Sequence, residues 1–544
     1  MRNWLALVLF IPLVACAKSE SHHETGAAGA SGAAGEAGIG GGAGVLGSAG
    51  LPSTSGAAGA ASGAGSGGST GAAGTGSATG PAGSSGSGAA GKSAGAAGTA
   101  GGAGAAGKSA AAGAAGASST GAAGTSVGVG NPSPTYTCLR ELHVATTGSD
   151  SGDGSMAKPF KTISKVTPMA KAGDCIQVHA GTYAEGSTIT FANDGTAAAP
   201  IVLRSADGKL KAVVDASTNR VSETVLVRND YVIVDGFEFT GSPMDTQEQC
   251  VHFDGLNQGK GTGSVLRNSK LTAGYDTIKV NENSLGVTVE SNEIYGSFAH
   301  LPVSLTGASN FVFRGNLCHD WTLSGDGAVQ VKGGSHDVLF EGNTFEDVHS
   351  DAGTIALGDG CDATCDIDPD HYAAVRVRVI DNVLLRVGRG FDVQGCKDCA
   401  ILSNTIVDSG VANLIFKLTS ATTNGVSTNT VNARILDNLI SNAGGNGGGH
   451  VVQINTGADG GLQLDYNLVW RGGQAILWGD GHPTSADTHS TTKDPMLGSA
   501  PPFTLVAGSG AIGAGTNLFS DVPIDLAGVA RPMTAAFDVG AYQH

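Results

Sequence analysis

Short alternating runs in the second half of the chain would bring a small set of reactive side chains into line. Ile278/Val280, Val303/Leu305, Val329/Val331, Ile355/Leu357, Phe391/Val393 and Phe416/Leu418 recur with the period of two of a strand that buries one face. With those residues pointing inward, one outward column reads Lys279, Ser304, Gln330, Ala356, Asp392, Lys417 and Gln453. The next outward column reads Asn281, Thr306, Lys332, Gly358, Gln394, Thr419 and Asn455, and Asp276, His300, Asp326, Asp351 and Arg389 stand just before the strands. Amines, amides, carboxylates and a guanidinium within a few strands fit a carbohydrate groove. An ordinary solvated sheet face is the alternative, since exposed charges need no partner there.

A second acidic group lies in an insertion: Asp359, Asp362, Asp366, Asp368 and Asp370, bracketing Cys361 and Cys365. Hard cations such as Ca2+ take several carboxylate oxygens, and Asp366-Ile367-Asp368-Pro369-Asp370 alternates as calcium loops do. The loop lacks the glycine and distal glutamate of an EF-hand, so a disulfide-pinned acidic loop is the other reading. His319, His349 and His371 read as loop residues.

The elements that must position these groups are repeats. Asn268, Asn292, Asn316, Asn343, Asn382, Asn404, Asn438 and Asn467 each punctuate a short apolar run, at a spacing whose minimum is near 22–24 residues. Two or three short strands per unit, without helical periodicity, predict an all-β fold: a single-stranded right-handed parallel β-helix. Stacked turns then lie about 4.8 Å apart. The asparagines are expected at left-handed turn positions, hydrogen-bonded to their counterparts above and below.

Composition separates this region from what precedes it. The chain has 544 residues, 88 of them glycine, with 5% aromatic and 14% charged residues. Between Gly26 and Gly130 there are 37 glycines, no aromatic residue, and only Glu36, Lys92 and Lys108 as charges. Such a stretch cannot bury enough apolar surface to fold and reads as a flexible tether. The net charge of −17 falls almost wholly on the repeats and argues against a nucleic-acid partner, because no basic patch exists to displace counterions.

The N-terminus, MRNWLALVLFIPLVAC, carries an apolar run too short for a stable span. Leu13-Val14-Ala15-Cys16 resembles the lipobox of bacterial lipoproteins, which implies cleavage before Cys16 and its acylation; an ordinary secretory signal is the alternative. The expected organisation is therefore a signal peptide over 1–16, a linker over 17–135 and one β-helix domain over 136–544. That protein would be exported, membrane-anchored by lipid, and exposed at the outer membrane or cell surface as a monomer. With Cys16 acylated, eight cysteines remain for an oxidising compartment. Cys361–Cys365 and Cys396–Cys399 are near enough to pair locally, which leaves Cys138–Cys175 and Cys250–Cys318 for longer bridges, unless some thiols are free.

His143-Val144-Ala145, Gly148-Ser149-Asp150, Pro159-Phe160-Lys161-Thr162-Ile163 and Ala180-Gly181-Thr182-Tyr183 resemble the N-terminal cap and first turn of secreted β-helix proteins of the pectate-lyase superfamily. Arg531-Pro532 and Asp538-Val539-Gly540-Ala541-Tyr542 resemble the closing segment of bacterial surface β-helix proteins. This resemblance implies an acidic polysaccharide as partner and, by way of a Lys or Arg base, its cleavage by β-elimination. Lys332, Lys279 and Arg389 are then the candidate catalytic residues, and Gln330, Asp392 and Lys417 the candidate substrate contacts. Asp326-Gly327 with Lys332, followed by Asp351-Ala352-Gly353, is similar to the calcium and base pattern of family 9 pectate lyases. The doubled acid of that pattern is absent, and Arg389 stands near the place of its later lysine. Asp326 and Asp351, with Asp366, Asp368 and Asp370, are the candidate calcium ligands. A non-catalytic adhesive or structural rod is the competing class.

Overall fold

The computed structural model describes residues 134–544, apart from 218–222, 241–248, 256–260, 273–274, 297–299, 324–326, 351, 410–413, 443–449, 477, 484 and 500–502. Residues 1–133 lie outside the described residues, and with them Cys16, the signal segment and nearly all of the expected linker.

Apart from one antiparallel hairpin, Phe416–Thr423 with Val426–Asn429, consecutive strands go to different sheets and pair in parallel with their equivalents one turn later. Lys270–Thr272, Asp276–Val280 and Thr288–Glu290 make one turn, after which Glu293–Tyr295 returns beside Lys270–Thr272. The outcome is three long sheets. A twelve-stranded one runs from Arg140–Val144 to Gln463–Asp465, and an eleven-stranded one from Gly181–Tyr183 to Leu468–Trp470. Another eleven-stranded sheet, here called the site sheet, runs from Ile189–Thr190 to Val452–Ile454. In such a coil every strand finds its backbone partners in the turns above and below, so ladder groups go unpaired only at the two ends.

The alternating runs behave as their period demands. Val251, Ile278, Val303, Val329, Ile355, Phe391, Phe416 and Val452 stand in one inward register and are essentially inaccessible. Phe391 and Phe416 stack with ring centroids 5.5 Å apart.

The asparagine ladder forms, with one change of position. The Oδ1 of Asn382 accepts from both the backbone and side-chain nitrogens of Asn343, while its Nδ2 donates to Asn404 Oδ1 and Phe340 O. The same exchange joins Asn292, Asn316, Asn343, Asn382, Asn404, Asn438 and Asn467, all buried. The left-handed residue, however, is the one before each ladder asparagine: Ser291, Gly315, Gly342, Asp381, Ser403, Asp437 and Tyr466. A ladder asparagine must aim its amide along the coil axis, so the preceding residue takes the tight corner. Asn268 sits at that corner, and Ser269 holds the ladder place, accepting from Phe237 N and donating its own N–H to Asn292 Oδ1. Asn382→Ala would strand the Asn343 amides and the Phe340 carbonyl in the core. An expected cost of about 2–4 kcal/mol follows, read as a lower urea midpoint with an unchanged slope.

Cys138–Cys175, Cys361–Cys365 and Cys396–Cys399 are bonded, as the spacing suggested, but Cys250 and Cys318 are buried free thiols. The expected Cys250–Cys318 bridge is impossible for a geometric reason. Cys250 lies in the site sheet, in the turn that begins with Glu238–Thr240, and Cys318 lies three turns further along. Three turns span about 14 Å, far beyond the reach of a disulfide. Burial pushes both thiols up, that of Cys250 to about 12.

Both ends of the coil are covered. At the start, Ile163–Val166 turns Ile163 and Val166 into the first turn, and Glu185 accepts the Ile163 and Ser164 amides at 2.7 and 3.0 Å. Towards the other end, Leu518, Val522 and Phe537 pack on outward apolar residues of the twelve-stranded sheet, the column Ile380, Leu402 and Leu436 with Leu339 beside it. Under this cover Asp437 is buried; Oδ1 accepts the Thr516 amide at 2.8 Å, and Oδ2 finds no partner. Burial raises its carboxyl to about 7. The unfolded chain ionises this group near pH 4, so between about pH 4 and 7 the folded state binds more protons and stability falls as pH rises. The loss approaches about 4 kcal/mol above pH 7. Asp437→Asn is therefore expected to melt higher than the parent at pH 8 and no higher at pH 4, by calorimetry.

Candidate functional site

The site sheet presents its outward residues as a straight column because every strand pairs without a register slip. His252, Lys279, Ser304, Gln330, Ala356, Asp392, Lys417 and Gln453 follow one another across successive pairs. Thr306 and Lys332 stand opposite each other in the next column, as do Gln394 and Thr419.

Chemistry is concentrated around Lys279. Its side chain is only 18% exposed, and Nζ donates to Ser304 Oγ at 2.7 Å and to Thr306 Oγ1 at 3.3 Å. The Asp276 carboxylate lies 3.4 Å away through Oδ2. Burial lowers the amine below the ordinary lysine value, and the nearby charge of Lys332 lowers it further, against the opposing pull of Asp276. Asp276 is itself buried, and its Oδ1 lies 2.5 Å from His300 Nδ1. Burial would raise that carboxyl, but the His300 hydrogen bond and the Lys279 charge together hold it below the usual range. Tyr275 stacks on His300, ring centroids 4.4 Å apart and nearly parallel.

The three cationic candidates do not converge. Lys332 bears on Lys279, and among the described residues no carboxylate pairs with it. Arg389 lies four turns from Lys279, about 19 Å along the axis. There its Nη1 meets Asp392 Oδ2 at 3.3 Å, and its buried Nε has no partner. Asp392 is buried and stands opposite Lys417 in the register. Gln330 donates to Asp359 Oδ2 at 2.6 Å, which brings the first acid of the insertion onto the column.

The other acids of that insertion diverge. Asp366 pairs with His371 at 2.5 Å, Asp368 accepts the Tyr372 amide at 2.8 Å, and Asp370 meets Lys397 at 3.1 Å. Asp326 and Asp351 lie outside the described residues. Among the described residues no three histidine, cysteine, aspartate or glutamate side chains gather as a metal site. Asp366, Asp368 and Asp370 are each engaged by a different partner.

His252 escaped the sequence reading of this face, and Asp359 was read only as part of the acidic insertion. His252 extends the column one turn back, with Nε2 2.9 Å from Asn281 Nδ2 and Nδ1 3.4 Å from Glu223 Oε1. Its signal was the run Val251-His252-Phe253, which alternates like the later copies. Asp359 carried no such signal, because it reaches the column from a loop. The hairpin Phe416–Thr423 with Val426–Asn429 flanks that loop, Asn424 N donating to Cys361 O at 2.7 Å.

The described chain is a right-handed parallel β-helix carrying a polar column on one sheet, and part of it is similar to pectate lyases. A family profile described as a Pel9A-like, right handed beta helix region matches residues 142–300. Pectate lyase PEL9 of Emericella nidulans is 31% identical over 105 residues, 19% of this chain and 20% of that protein. The uncharacterized protein YwoF of Bacillus subtilis is 33% identical over 88 residues, 16% of this chain and 18% of its own length. The chain thus spans about a fifth of the curated relatives it matches. Among solved structures, pectate lyase Pel9A aligns with a TM-score of 0.47 at 16% identity, over 75% of this chain and 97% of that one. XylC in complex with xylose aligns with a TM-score of 0.46 at 12% identity, over 74% and 98% respectively.

Proposed function

We propose that the outward face of the site sheet binds an acidic polysaccharide and cleaves it by β-elimination, with Lys279 as the base. One observation carries this reading: Lys279 is a largely buried amine whose charge is disfavoured by burial and by Lys332. A lysine becomes a more available base as its surroundings lower its proton affinity, and burial and Lys332 act in that direction here, against the opposing pull of Asp276 and Glu282. Lys332 would neutralise the uronate carboxylate, which makes the adjacent carbon acid stronger. Gln330, Asp392, Arg389 and Lys417 extend the same face and would hold further sugar units.

The relatives lend their chemistry to this reading, since PEL9 is named a pectate lyase. The acidic charge of the chain would otherwise repel a polyanion, so a cation, lysine or divalent metal, must lie at the contact. Calcium bound with Asp326 and Asp351 belongs to the same proposal. Acylated Cys16 and the Gly/Ala-rich segment would tether the domain to a bacterial outer membrane or cell surface as a monomer, a point checked by fatty-acid labelling at Cys16.

The test is direct. The full chain is incubated with pectate, alginate and chondroitin, with calcium and with chelator, while the absorbance of unsaturated products is followed. Growth on one substrate supports the lyase. Silence across the panel, with binding retained, would falsify cleavage and favour the non-catalytic rod.

A further inference from the structure

The groups around Lys279 make a continuous line. Lys279 Nζ lies 3.4 Å from one oxygen of Asp276, and His300 Nδ1 lies 2.5 Å from the other. The Leu301 amide also donates to Oδ1 at 3.4 Å, and the Tyr275 ring fixes the imidazole by stacking. Asp276 is 3% exposed, so little water competes with the two nitrogens at its oxygens. A buried carboxylate between two proton-carrying groups is costly unless both partners stay engaged.

We propose that Lys279, Asp276 and His300 form one proton-sharing line, in which Asp276 is a positioning residue and His300 receives the proton that Lys279 takes up. Its catalytic use rests on the lyase reading above. Neutral Lys279 takes the proton from the carbon next to the carboxylate; the bond from the neighbouring carbon to the leaving oxygen breaks, and a carbon–carbon double bond forms. The electron pair goes to the leaving oxygen, which takes a proton from His300. The amine is then protonated and the imidazole neutral, and transfer through Asp276 restores both without a further reactant.

Among the described residues, Tyr275 stacks on His300, and the other charged and titratable groups act from the Lys279 side. Lys332 and Glu282 act on Lys279, and Asp254 and His252 act on Glu282. Lys332 favours loss of the amine proton, whereas Glu282 opposes it.

Two titrations on the full chain test the line. His300 is followed by nuclear magnetic resonance with labelled histidine, its signal assigned by its loss in His300→Gln. Lys279 is followed by the pH dependence of amine acylation, read peptide by peptide. Lys279→Met removes a competing cation and is expected to raise the His300 midpoint by about one pH unit, a tenfold change in protonation. Asp276→Asn is expected to lower the midpoints of both groups by about one unit or more. A His300 midpoint unmoved by Lys279→Met overturns the line, and so does a Lys279 midpoint unmoved by Asp276→Asn. If Asp276→Asn does not fold, the Lys279→Met result decides alone, because that variant keeps the carboxylate. On a cleaved substrate, His300→Gln should lower kcat at least about tenfold with little change in KM. Wild-type silence on all polyuronates overturns the lyase reading, while the midpoints still judge the line.

Discussion

Lys279→Met is expected to reduce kcat on the polyuronate that the wild type cleaves by about a thousandfold, within the range for loss of a general base. Methionine keeps most of the length and the apolar stem of lysine, while the proton acceptor and its hydrogen bonds to Ser304 and Thr306 are removed. The pH dependence has a definite sign. Only the neutral amine can accept a proton, so kcat in the wild type should rise with pH through a limb lying below the ordinary lysine range, since burial and Lys332 lower the group. That limb should vanish from any residual activity of the variant. Lys332→Met should lower kcat as well as raise KM, because the cation that holds the carboxylate also stabilises the charge developing beside it, and its loss returns Lys279 towards the ordinary lysine value. A Lys279→Met enzyme with near-normal kcat would remove this residue from the chemistry.

Arg531→Met is expected to cost about 3–5 kcal/mol of stability, the range for removing one partner of a buried ion pair. Arg531 is fully buried, and its Nη2 donates to Asp381 Oδ1 at 2.7 Å and to Gly540 O at 3.0 Å. Its guanidinium also lies over the Phe537 ring, 5.2 Å from the centroid. Asp381 occupies the left-handed corner before the ladder residue Asn382, so this one side chain ties the closing segment to the coil. The variant leaves the Asp381 carboxylate and two carbonyls without their donor in a water-free space. Denaturant midpoints should fall, and limited proteolysis should open the segment after Leu505 first. Pairing the change with Asp381→Asn should recover part of the loss, since the uncompensated charge is then gone. An unchanged midpoint would show that the closing segment is held by its other contacts, among them the Arg434–Asp521 pair, the Ala541–Thr405 hydrogen bond and the apolar cover.

Much of the architecture was legible in the chain, and the reason is the repeat. Alternation at Ile278/Val280 or Val329/Val331 specifies which face is buried, and a parallel coil with no register slip carries that choice from turn to turn. The column from Lys279 to Gln453 could therefore be written down before any coordinates existed. The ladder was legible in its spacing but not in its conformation, because spacing cannot say whether Asn382 or its neighbour Asp381 takes the tight corner. The Cys250–Cys318 pairing failed for a related reason. Parity counts cysteines, whereas a bridge needs two of them on neighbouring turns.

By itself the sequence determined the turn length, the inward and outward residues, the identity of the reactive column, and the separation of an acidic repeat region from a glycine-rich stretch. Only the tertiary structure decided which of those residues act together. The charge of Lys332 acts on Lys279 across two turns, while Arg389 is carried about 19 Å away to Asp392. The insertion delivers Asp359 to Gln330 and spends its other acids on His371, Tyr372 and Lys397. The difference is physical: strand periodicity is a local property of a few residues, whereas the environment of an amine or carboxylate depends on burial and on loops that return from distant parts of the chain.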